Sequence, residues 1–275
     1  MRALRIAAVA VTAAVLVAGL TACGSDGKAG TKAAGDAAPG KALELDPKAA
    51  LAASALVMQK AGNATFTVAA PDGLEARPGA GTANWSGART AVEYVADGQG
   101  QKLKVRMVGG DVYYGVGAAA GAPGELWVKA TDVVWRAKAG PFVMLLGQTA
   151  NPVVQLAAAQ SGQISKGGAE TVDGVQLTRY RSVEEVATVL AAVPDLTPER
   201  RAALQQAVEK NGKTLTVDFW LNAKQELVQY REFGEKDGEQ KAVTVKYTGL
   251  GSAPKVEAPA ENQLGKASDL AKLLN

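Results

Sequence analysis

The chain has 275 residues, with 30 Lys and Arg against 27 Asp and Glu, no histidine and a single cysteine. The lack of histidine removes the commonest general base and metal ligand, and with them every Ser-His-Asp or Cys-His arrangement. A near-balanced charge with scattered lysines makes no field for nucleic acid, and one cysteine leaves no internal disulfide.

Arg2 and Arg5 head an apolar run from Ile6 to Ala18, followed by Leu20-Thr21-Ala22 and then Cys23. A charged start, a short apolar stretch and small residues at a cleavage point make a secretory signal peptide over residues 1–22. The stretch is shorter than the roughly 20 apolar residues that a spanning helix needs. Leu20-Thr21-Ala22-Cys23 resembles the lipobox of bacterial lipoproteins. That resemblance implies a diacylglycerol on the Cys23 thiol, cleavage before it, and a protein held by its lipid on the extracytoplasmic face of the cell membrane. From Cys23 onward the chain holds 28 basic and 27 acidic side chains.

Residues 23–45 form the lipidated cysteine and a tether rich in Gly, Ala and Lys. As a flexible coil, residues 24–42 span roughly 25 Å. Asp46-Pro47 supplies an N-cap and a first-turn proline, and Leu51, Ala55 and Met58 follow at helical spacing, which predicts a helix over 46–61.

Short strands are expected at 64–69, 82–86, 91–96, 102–108, 111–116 and 125–129. Lys102–Val108 alternates most cleanly, with Leu103, Val105 and Met107 on one side and Lys102, Lys104 and Arg106 on the other. That pattern predicts a sheet with one wet face. Asp97-Gly98 and Gly109-Gly110 suit tight hairpins. The stretch 141–160 reads as two short apolar helices, with Gly147 and Pro152 between the pieces as a hinge or a plain loop. A hairpin over 163–171 and 175–181 turns at Asp173-Gly174. Helices are expected at Val183–Val193 and from Thr197-Pro198 to Lys210, then strands at 213–221, 226–233 and 240–248. A tail over 257–275 ends in a short helix at 268–274.

These stretches together resemble the LppX/LprG-like lipoproteins of actinobacterial envelopes, which are similar in fold to the LolA/LolB-type lipoprotein carriers. Val108-Gly109-Gly110-Asp111-Val112-Tyr113-Tyr114 followed by Leu126-Trp127-Val128-Lys129 carries the likeness. So do the hairpin Glu170–Tyr180 and the closing strands Phe219-Trp220-Leu221-Asn222 and Val243-Thr244-Val245-Lys246-Tyr247. The resemblance covers roughly residues 46–256, a single domain. It implies an α+β fold: a curved antiparallel half-barrel sheet with helices packed on its concave face. It also implies a hydrophobic cavity between sheet and helices for acylated lipids or glycolipids.

On that reading the cavity lining is Val105, Met107, Leu145, Leu146, Val154, Leu156, Val189, Val217, Phe219, Val243 and Val245, although the same residues serve equally as ordinary core. Trp127, Trp135 and Trp220 are candidates for membrane or glycolipid contact, or for packing. Glu184-Glu185 is read as an exposed helical pair whose carboxylates do not face each other, so no catalytic pair is expected. No nucleophile elbow, phosphate loop or metal cluster is present. The expectation is a monomer without cofactor or metal and without enzymatic activity. It is either a membrane-anchored binder of acylated lipids or a non-catalytic envelope interaction or sensor module with a filled core.

Overall fold

The computed structural model describes residues 45–71, 76–97, 102–116, 126–130, 140–192 and 197–266. The signal segment, Cys23, the tether before Leu45, Gly98, Trp135 and the helix expected at 268–274 lie outside the described residues.

One antiparallel sheet of eleven strands organises the fold. Two meanders build it. The first runs β1 (Asn63–Ala69), β2 (Gly79–Asn84), β3 (Ala91–Asp97), β4 (Lys102–Val108), β5 (Asp111–Val116) and β6 (Leu126–Lys129). The second runs β7 (Gln163–Val172), β8 (Val175–Glu185), β9 (Thr214–Leu221), β10 (Leu227–Gly234) and β11 (Val243–Thr248). They join where β1 pairs with β11, Phe66 opposite Tyr247 and Val68 opposite Val245. The order is β6-β5-β4-β3-β2-β1-β11-β10-β9-β8-β7, an open, half-barrel-like sheet in an α+β fold. Gly109, Gly110, Asp173 and Gly174 all take positive φ, the backbone that two-residue hairpin turns require.

Helix α1 (Pro47–Ala61) starts where the sequence places it. Asp46 Oδ1 accepts from the Ala49 amide at 3.0 Å, and Gly62 ends the helix in the left-handed region at φ 72°. Helices α2 (Gly140–Thr149) and α3 (Pro152–Ala158) occupy the stretch expected for two apolar helices. Asn151 caps α3, its Oδ1 accepting from the Val153 and Val154 amides. Gly147 therefore lies inside α2, and Pro152 is the first residue of α3; neither is a hinge between free pieces.

Helix α4 (Val186–Ala192) is shorter than the expected Val183–Val193. Val183, Glu184 and Glu185 belong to β8, where they pair with Thr216, Leu215 and Thr214. Their apolar spacing fits either state, and pairing along the edge of β9 decides for strand. The last strand is also shorter than expected, because residues 239–241 form a 3₁₀ turn before Val243. Helix α5 (Pro198–Val208) follows the Thr197-Pro198 start.

Strand alternation sorts the sheet into two faces. The inner face carries Ala64, Phe66, Val68, Val92, Tyr94, Val105, Tyr114, Val128, Tyr180, Phe219, Tyr230, Val245 and Tyr247. These form one cluster with Leu51 and Met58 of α1, Leu146 of α2 and Leu156 of α3. Burial of each large member contributes about 1.5–3 kcal/mol, so this layer dominates stability. A second, smaller cluster joins Val186 and Leu190 of α4 to Leu204 of α5, with Leu145, Val208 and Leu215 packed against it.

The outer face of β4 is not simply wet. Trp127 is buried there under Arg106 and Lys104, 4.3 and 5.1 Å from its ring, and both cations also pair with Glu93. The chain after β11 runs back over the same face. Asn84 Nδ2 donates to the Pro254 carbonyl, Arg106 donates to the Glu257 carbonyl, and the Gly265 amide donates to the Trp127 carbonyl at 2.9 Å.

Candidate functional site

The interior between sheet and helices is held by aromatic side chains that tie helix ends to strands. A helix leaves its last carbonyls without partners. At the end of α2, Tyr230 of β10 and Tyr247 of β11 both donate to the Thr149 carbonyl, at 2.9 and 3.3 Å. At the end of α1, Trp85 Nε1 donates to the Met58 carbonyl at 2.7 Å. Asn151 Nδ2 reaches Thr90 Oγ1 at 2.8 Å and fixes the start of α3 beside β3. An aromatic row runs across the face: Phe219 to Tyr230 at 6.4 Å, Tyr230 to Tyr247 at 6.3 Å, and Tyr247 edge-on to Trp85 at 6.4 Å. Burial pushes the Tyr230 and Tyr247 hydroxyls well above the usual phenol range, so both stay protonated donors.

The structure brings Val105, Leu146, Leu156, Val217, Phe219 and Val245 together in the main cluster, all nearly or fully buried. Met107 and Val243 are half-buried and pack against it. Leu145 joins the smaller cluster under α4 and α5. Val154 and Val189 are half-buried on α3 and α4. Trp127 and Trp220, read from the sequence as candidates for membrane contact, are 1% and 4% exposed and packed on the outer face.

Three polar atoms in the interior have no hydrogen-bond partner among the described residues: Ser54 Oγ on α1, Tyr114 Oη on β5 and Glu184 Oε1 on β8. Burial pushes the Tyr114 hydroxyl up to about 12. Burial also pushes Glu184 up to about 7, although the Ser182 hydroxyl pulls it down and Glu232 pushes it further up. Glu184 thus lies on the inner face of a strand, not on the exposed helix expected for it; Glu185 is the exposed one of the two.

The outer face of the second meander carries a closed charge network. Asp218 of β9 is fully buried and accepts from Arg181 at 2.6 and 2.8 Å and from Arg231 at 2.7 Å. Glu239 closes it from the other side. Burial pushes Asp218 up, but the two guanidiniums outweigh it and hold the carboxyl below its ordinary value. Cross-strand register across β8, β9 and β10 makes Arg181, Asp218 and Arg231 a unit. Among the described residues, no group of three or more His, Cys, Asp or Glu stands where it could hold a metal ion.

Fold and interior define a class: an open antiparallel half-barrel whose apolar face is covered by short helices. No family model matches the chain. An uncharacterized 31.2 kDa protein of Streptomyces griseus, from the rplA-rplJ intergenic region, is 34% identical over 101 residues, or 36% of this chain and 33% of that protein. The matched stretch spans about a third of that curated relative. Among solved structures, LprF from Mycobacterium bovis is similar with a TM-score of 0.49 and 12% identity, over 78% of this chain and 97% of that one. The Mycobacterium tuberculosis lipoprotein LppX is similar with a TM-score of 0.49 and 12% identity, over 77% of this chain and 100% of that one. Both are of the LppX/LprG type that the sequence resembles.

Proposed function

We propose that the protein is a membrane-anchored lipoprotein, without enzymatic activity, that binds, carries or displays acylated lipids or glycolipids between its sheet and its helices. The observation that carries this reading is the inner face itself. It carries one apolar cluster drawn from both meanders, the sheet is open, and helices α1 to α3 add residues to that cluster. Acyl chains bind such a surface through buried methylenes, about 0.8 kcal/mol each, and need no signature residue. Cys23 supplies the anchor through its diacylglycerol. Among the described residues no helix is long and apolar enough to cross a membrane.

Cys23→Ala tests the anchor: the variant loses incorporation of labelled fatty acid, and retained label contradicts lipidation there. A fluorescent diacylglycerol titrated into the chain from Gly24 onward tests the interior. Saturable binding at one molecule per chain is expected, and no binding overturns the reading. One observation favours the filled-core module instead: Val105, Leu146, Leu156 and Phe219 are already packed against protein at 0–1% exposure. Absence of binding in the titration selects that module.

A further inference from the structure

Among the described residues, carboxyl groups interrupt the inner face where β8, β9 and β10 meet. Glu184 of β8 and Glu232 of β10 stand on either side of β9, Glu184 opposite Leu215 and Glu232 opposite Val217. Leu215 packs on the small cluster under α4 and α5, and Val217 belongs to the main one. Glu184 therefore lies at the seam between the two apolar clusters. It is 3% exposed, and its Oε1 has no partner. Its neighbour on that face, Ser182, is fully buried, with its hydroxyl 3.2 Å from the Ala159 carbonyl and close enough to Glu184 to pull that carboxyl down. Gly162 closes the site from the β7 side, where a Cβ would collide with Ser182 Oγ and stand 2.7 Å from Glu184 Cγ.

A buried acceptor left unpaired is costly, and native folds rarely keep one without a use. The surroundings also select what pairs with it. A cation brought to this seam loses its hydration in an apolar setting, whereas a hydroxyl gives up far less.

We propose that Glu184 Oε1 is the polar anchor of the interior site, accepting a hydrogen bond from a hydroxyl on the uncharged head group of an acylated ligand. The inference rests on the lipid-binding reading above and names the class within it: acylated polyols such as glycosylated diacylglycerols.

The described residues begin at Leu45, so the chain from Gly24 onward keeps all of them. The test displaces a fluorescent diacylglycerol from that chain with a glycosyl diacylglycerol, and with its twin of identical acyl chains whose sugar hydroxyls are methylated. The wild type is expected to prefer the free glycoside about ten-fold, and Glu184→Leu to reduce the preference below roughly two-fold while still binding both. Difference infrared spectra read the same bond without a packing change. The glycoside shifts a buried carboxyl band of the wild type, and Glu184→Gln abolishes that shift. Equal affinity for both twins with an unmoved band marks a buried water and overturns the inference while lipid binding stands. Tighter binding of a diacyl lipid with an ammonium head group overturns it too. If neither twin binds, the lipid reading fails and this inference with it.

Discussion

Phe66 of β1 and Tyr94 of β3 stack nearly parallel across the intervening strand, ring centroids 5.6 Å apart and planes 11° from parallel. Gly81 of β2 is the register partner of both. A Cβ there would stand 3.0 Å from the Phe66 ring and collide with the Glu93 carbonyl. Gly81→Ala is therefore expected to cost about 2 kcal/mol through overpacking. Urea unfolding reads this directly, and an unchanged midpoint contradicts the ring-over-glycine packing.

The shared Thr149 carbonyl makes Tyr230 and Tyr247 partners. Either Tyr→Phe change alone leaves the carbonyl one donor and is expected to cost about 1 kcal/mol. The double change leaves it bare in the interior, so its cost is expected to exceed the sum of the two. A double-mutant cycle by chemical denaturation checks the sign; strict additivity contradicts a shared acceptor.

Glu184 gives a pH signature. Its folded pKa is raised to about 7 from an ordinary value of 4.5, first by burial. Its stabilising contribution is thus fully present below about pH 4.5 and is lost as pH rises through about 7, a swing of roughly 3 kcal/mol. Glu184→Gln keeps the shape and removes the titration. The variant is expected to be more stable than the wild type at pH 8, with a flatter pH profile between 5 and 8. Parallel thermal-unfolding profiles for the two proteins contradict a buried, titrating Glu184.

Asp218 has the opposite sign. The Arg181 and Arg231 guanidiniums hold its carboxyl below the ordinary value despite burial. Its contribution is present above its unfolded pKa and is lost as pH falls through the folded one, a window below about pH 4. Asp218→Asn is expected to destabilise by about 2 kcal/mol at pH 7, less than a wholly buried pair because both arginines keep contact with solvent. Calorimetry at pH 7 and pH 3 checks this, and an equal loss at both pH values contradicts it.

Local signals in the sequence carry much of the fold. Asp46-Pro47 starts α1, and Asp173-Gly174 and Gly109-Gly110 turn the hairpins where expected. The bounds expected for the strand Lys102–Val108 are those of β4. What escapes is set by partners distant in sequence. The spacing of Val183, Val186, Val189 and Leu190 reads as helix, yet pairing with β9 holds Val183–Glu185 in a strand and turns Glu184 inward. The Arg181–Asp218–Arg231 network depends on a three-strand register. The run of the chain from Pro254 to Gly265 over Trp127 likewise depends on contacts between opposite ends of the domain. The apolar positions are legible as a face, but one face serves a core and a lipid site alike, because both need only buried carbon.

Lipid carriage is therefore tested most directly by what the protein holds when it leaves its own cell. The chain from Gly24 onward, exported in its native host background, purified without detergent and extracted with organic solvent, is expected to release an acylated lipid or glycolipid at about one molecule per chain by mass spectrometry, consistent with a single interior site. Protein that is folded, monomeric and free of any stoichiometric lipid contradicts the account.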